Sequence, residues 1–182
     1  MALVINATVG SEYANSYVTA AEMTTYCEGR LNAGAWTATQ AQLPALVEAT
    51  RDITNLYWKG SRVYDTQALA WPRAYVQDPD APYDDETLTL DDIVYYPEDI
   101  VPQRVKDATC ELALQYLKAG TTDLAMPDPT DGVIRRKVDV LETQYAADGS
   151  RTTRGVNRFP RVMALIGMLL AAGAGNVQVT RV

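Results

Sequence analysis

Apolar positions recur at helical spacing in four stretches, and each stretch is bounded by residues able to start or stop a helix. Met23, Tyr26, Cys27 and Leu31 share one face of the first. Thr19-x-x-Glu22 opens it as a capping box, the threonine oxygen and the glutamate carboxylate satisfying free N–H groups reciprocally. This helix is expected to stop near Gly34. A second begins between Thr39 and Leu43, with Pro44 in its first turn. Leu46, Ala49, Ile53, Leu56 and Tyr57 then repeat as far as Trp58, before Lys59-Gly60 ends the run. The third starts at Pro102 and carries Val105, Ala108, Thr109, Leu112, Ala113, Tyr116 and Leu117, with Gly120 placed for a left-handed cap. The fourth starts at Pro160 and extends to Gly175. Val162, Met163, Leu165, Ile166, Leu169 and Leu170 make it apolar on more than one side, so it must be buried, and a neighbouring subunit could cover it.

Elsewhere the pattern is extended or irregular. Residues 1–17 alternate loosely and predict an arm lying on something else. In Leu69-Ala70-Trp71-Pro72-Arg73, Pro72 biases Trp71 away from the helical basin. Trp71 requires burial with its indole N–H satisfied, and Arg73 can stack on a ring or fork onto a carboxylate. Trp58, Trp71, Pro72 and Arg73 are therefore assigned to holding the fold: an anchor that staples an irregular crossing onto a helical core. Residues 78–99 form a proline-broken acidic loop in which Val94-Tyr95-Tyr96 could make a short strand. Residues 121–132 read as a linker. From Val133 the period changes to two, through Val138, Val140 and Glu142, before the turn residues Asp148-Gly149. A hairpin or protruding loop over 133–158 is the expectation, and 176–182 alternates as a tail. The whole predicts one mainly α domain, a bundle of about four helices with an extended N-terminal arm, a small β hairpin or loop insertion and an extended C-terminal tail.

Charge changes this picture in one respect. The chain of 182 residues carries a net charge of −7, which argues against a general polyanion binder, because nucleic-acid affinity rests largely on phosphate neutralisation. The acidic residues concentrate in 78–99, whereas Arg135 to Arg161 is predominantly basic. These opposed segments could face each other across neighbouring copies. Arg154, Arg158, Arg161 and Arg181, with the terminal Val182, are the candidate partner-interface residues, the arginines contacting carboxylates of a neighbour; ordinary solvated surface is the alternative reading.

Candidate chemistry is sparse. The sequence has no histidine, which removes the commonest general base and metal ligand. Phosphate-loop, dinucleotide, zinc and calcium spacings are missing, so no catalytic residue, cofactor or metal is assigned and no enzyme is expected. Cys27 and Cys110 read as small buried hydrophobes rather than a disulfide or redox pair. The aromatics could stack single-stranded bases, but Tyr26, Tyr57 and Tyr116 fall on apolar helix faces and are expected in the core. Met1 to Gly10 shows no signal peptide, and Val162 to Gly175 is too short to span a bilayer, so no membrane partner is expected.

Several blocks carry a family resemblance: Ala14-Asn15-Ser16-Tyr17-Val18, the Tyr26 to Arg30 spacing, Ala49-Thr50-Arg51, Trp58-Lys59-Gly60-Ser61-Arg62 and Gln67 to Arg73. Val101-Pro102, Val105-Lys106, Ala108 and Glu111-Leu112-Ala113 continue it. The chain resembles a tailed-bacteriophage family labelled DnaT-like single-stranded-DNA-binding protein, similar in layout to head-to-tail adaptor, or head-completion, proteins. The resemblance covers roughly residues 14 to 113. It implies a structural virion protein, assembled in the host cytoplasm, that forms a ring, usually of twelve copies, beneath the portal protein. Such a ring extends the DNA channel, lets packaged double-stranded DNA pass without specific binding and receives further neck or tail-completion proteins. The family label implies instead single-stranded DNA binding in replication initiation.

Overall fold

Helix α3 (Gln103–Ala119) is buried on most of its circumference, and the other helices pack around it. The computed structural model describes residues 2–78, 80–81, 94–120, 133–137, 142–145 and 155–171. Within them, α1 (Ala20–Glu28), α2 (Leu43–Thr54) and α4 (Pro160–Ile166) all contact α3, α2 and α4 most extensively. The mainly helical expectation holds. α3 begins after Pro102 and ends at Gly120 with φ 68°, the left-handed cap its sequence predicts. Leu112 and Leu114 are both fully buried, although two residues apart on a helix they face different ways. Burial on more than one side makes α3 the centre of the bundle.

The other helices are shorter than their periodicity suggests. α1 opens with the predicted capping box, Glu22 N donating to Thr19 Oγ1 at 3.2 Å and Thr19 N to Glu22 Oε2 at 2.7 Å. It is capped by Gly29 rather than continuing to Gly34, and Asn32 then takes φ 58°. Leu31, expected on the apolar face, is consequently 82% exposed. α2 holds Pro44 in its first turn but ends at Thr54; a tight turn from Leu56 N to Ile53 O follows. That turn swings Trp58 inward and leaves Tyr57 64% exposed, correcting its assignment to the core. Tyr116 is buried as expected and Tyr26 partly so. α4 stops at Ile166 and passes through a 3-10 turn (Gly167–Leu169) into extended Leu170, so the long fourth helix is not formed over 167–171. The cause is tertiary: Leu170 pairs with Trp58, Lys59 N donates to Leu169 O at 3.0 Å, and Ala171 N donates to Tyr57 O at 2.9 Å.

Two antiparallel ribbons complete the described fold. β1 (Ser61–Arg62) pairs with β2 (Arg73–Ala74), with Ser61 opposite Ala74. Gly60, φ 69°, makes this pairing possible, because a Cβ there would collide with the Ala74 carbonyl oxygen. β3 (Val133–Lys137) pairs with β4 (Glu142–Tyr145), with a register irregularity between Val133 and Arg135. A hairpin pairing is present within the stretch where one was expected, Lys137 lying opposite Glu142; the expected turn residues Asp148-Gly149 lie outside the described residues. The arm is fastened by Asn15, whose side chain accepts from Asn6 N at 2.8 Å and donates to Val4 O at 2.9 Å. No described helix is long and apolar enough to cross a membrane. The linker 121–132, most of the acidic loop and the tail 176–182 lie outside the described residues.

Candidate functional site

The Trp-Pro-Arg anchor lies where the arm, the α2 exit and the end of α4 converge. Trp71 precedes a cis peptide bond to Pro72 and packs edge-to-face on Trp58 at 5.5 Å and on Tyr96 at 6.3 Å. Trp58 Nε1 donates to Ile53 O at 3.1 Å. Trp71 Nε1 differs from expectation: it is buried without a hydrogen-bond partner among the described residues. Arg73 also departs from expectation, forking onto carbonyls rather than a carboxylate: Nε to Lys59 O and Nη2 to Gly60 O, both at 2.6 Å, and Nη1 to Ala70 O at 3.2 Å. Burial lowers its pKa from the ordinary arginine value. Gln67, missed as a key residue by sequence reasoning, organises the loop. Its Oε1 accepts from Val63 N and Tyr64 N, and its Nε2 donates to Leu69 O and Pro72 O. Trp58, Trp71 and Pro72 are buried, and Arg73 is half-buried.

A second cluster was not anticipated. Glu111, 1% exposed in the middle of α3, receives Arg30 Nε at 2.9 Å, Arg30 Nη2 at 3.0 Å, Tyr26 Oη at 3.1 Å and Gln115 Nε2 at 2.9 Å. Burial pushes its pKa up, but the Arg30, Gln115 and Tyr26 bonds together outweigh burial and hold it at about 2. Burial and the Glu111 charge push the Tyr26 phenol up to about 12. The only sequence signal was the Tyr26 to Arg30 spacing; Arg30 lies just beyond the Gly29 cap of α1 and reaches the same carboxylate as Tyr26. Other ionisable groups have partners as well. Tyr116 donates to Asp52, Lys106 bonds Glu22 at 2.6 Å, and Arg104 bonds Asp80. Burial raises the thiol pKa of both Cys27 and Cys110, which are free, so neither is set up as a nucleophile.

The predicted interface arginines do not form a described cluster. Arg154, Arg181 and Val182 lie outside the described residues, and Arg158 ends a 3-10 turn (Gly155–Arg158). Arg161 lies in the first turn of α4, largely exposed, with Nη1 3.9 Å from Glu111 Oε1 of its own chain. Among the exposed large side chains, Tyr57, Tyr64, Tyr75, Val94 and Tyr95 lie on segments around the anchor. Tyr75 and Tyr95 meet edge-to-face at 6.4 Å.

The described residues thus form a helical scaffold whose buried Glu111 is neutralised internally and whose surface displays tyrosines beside short ribbons. The chain belongs to the family described as "Putative DnaT-like ssDNA binding protein", whose sequence model matches residues 1–182. No curated protein and no solved structure matches it.

Proposed function

We propose that this chain is a structural subunit of a bacteriophage head-to-tail junction, one copy of a ring beneath the portal protein, and not an enzyme. The observation that carries this reading is the engagement of the seven cations between Arg30 and Lys106. Arg30, Arg51, Arg104 and Lys106 bond carboxylates of the same chain, while Lys59, Arg62 and Arg73 bond its carbonyls. Cations spent on internal contacts do not track a phosphate backbone, and a conduit for packaged double-stranded DNA benefits from weak contact with its cargo. The described surface is instead rich in exposed tyrosine, which suits protein partners such as the portal and later neck components. A ring also requires two unlike faces, which the acidic 78–99 and basic 135–161 segments could supply.

The family's description favours a second reading, single-stranded DNA binding. It would use the exposed tyrosines as stacking platforms and the basic residues of 135–161 against phosphates. Native mass spectrometry of the protein mixed with the portal ring of the same genome, with a single-stranded oligonucleotide as competitor, separates the two. The adaptor reading expects one copy per portal subunit and no bound oligonucleotide. A protein that ignores the portal and emerges bound to the oligonucleotide overturns it.

A further inference from the structure

Tyr75 has left-handed backbone, φ 59°, and yet its ring is 74% exposed. A bulky side chain is uncommon in that region and persists only where its surroundings impose it. Here β2 ends at Ala74, and Val76 to Asp78 then pairs with Val94 to Tyr96 through Tyr96 N to Val76 O and Asp78 N to Val94 O, both 2.9 Å. Tyr75 is the hinge between the two pairings, and the turn directs its ring outward onto that of Tyr95. Val94 beside them is exposed, and the chain continues through exposed Glu98 and Asp99. The result is an apolar, aromatic surface with carboxylates next to it.

The hairpin β3–β4 has the complementary composition. β3 carries Arg135, Arg136 and Lys137 in succession, opposite Gln144, Thr143 and Glu142. Among the described residues the hairpin packs extensively on no other element. A two-stranded hairpin by itself is marginal in water and gains stability by packing on another surface. Cations favour ring faces and carboxylates alike.

We propose that the hairpin β3–β4 of one copy docks on the Tyr75–Tyr95 surface of a second copy, its basic strand β3 lying beside Glu98 and Asp99. The inference rests on the ring-subunit reading and names the contact between neighbours. Charge complementarity selects a second copy as the occupant: each net acidic chain carries one basic hairpin and one acidic aromatic surface. The contact is head-to-tail, with each copy offering its hairpin to one neighbour and its tyrosines to the other.

The test uses two charge-reversed full-length variants in sedimentation velocity at moderate salt. One combines Arg135→Glu, Arg136→Glu and Lys137→Glu; the other combines Glu98→Arg and Asp99→Arg. Each alone should self-associate at least about tenfold more weakly than the wild type, because like charges then face each other. An equimolar mixture should recover association, since each variant supplies the surface that the other's hairpin or patch now fits. Recovery also shows that both variants are folded. Variants that associate like the wild type, a mixture that stays dissociated, or a wild type that remains monomeric throughout would each overturn the proposal. Portal binding, measured in parallel, keeps the two readings apart. A wild type that ignores the portal while the mixture regains association sinks only the adaptor role; normal loading of both variants onto the portal without loss of self-association sinks only the hairpin contact.

Discussion

Trp71 and Glu111 are each 1% exposed, and each ties separate stretches of chain together, but they do so with different chemistry. Trp71 joins the α2 exit to the segment at Tyr96 by apolar area and edge-to-face rings. Glu111 joins α1 to α3 through a carboxylate bonded by Arg30, Tyr26 and Gln115. The apolar lock responds to volume and is indifferent to pH. The charged lock tolerates little change of partner and depends on protonation.

The largest expected effect is Trp71→Ala, which should lower unfolding free energy by about 3–5 kcal/mol, read by urea titration, with the same loss at every pH where both proteins fold. Arg30→Met should cost about 3 kcal/mol at pH 7, because Glu111 is left buried without its cation. That loss should depend on pH. The Glu111 carboxyl is held at about 2 in the folded chain against an ordinary 4.5, so its contribution is present above 4.5 and is lost as pH falls through 2. The wild-type advantage over Arg30→Met should therefore be widest near neutrality and shrink in acid. A pH-independent gap would break the comparison.

A finer test concerns the two indoles. Trp58→Phe should cost about 1 kcal/mol more than Trp71→Phe, since Trp58 loses a hydrogen bond to Ile53 whereas the Trp71 N–H has no partner to lose among the described residues. Paired thermal melts of the two variants would measure it. The smallest effect is Arg161→Ala, within about 0.5 kcal/mol of wild type, because that guanidinium is largely exposed and 3.9 Å from Glu111.

Some of this was legible in advance. The capping box at Thr19, Pro44 in a first turn and the Gly120 cap are local devices, each complete within a few residues, and all three appear where the sequence puts them. Helix lengths were less legible. Leu31, Tyr57 and Leu170 continue an apolar period that the backbone abandons, at Gly29, at the Leu56 turn and at Gly167. In the candidate site, the anchor tryptophans were identifiable by size, but the acceptors of Arg73 are backbone carbonyls, which carry no sequence signature.

By itself the sequence determined the helical class and the caps, because propensity, capping and apolar period act between near neighbours. Tertiary structure alone decided that Glu111 receives Arg30 across 81 positions, that Leu170 pairs with Trp58, and that Tyr75 faces outward beside Tyr95. Those outcomes depend on which surfaces meet when α1, α2 and α4 close on α3. The pairing of distant residues is fixed by packing geometry that no local pattern encodes.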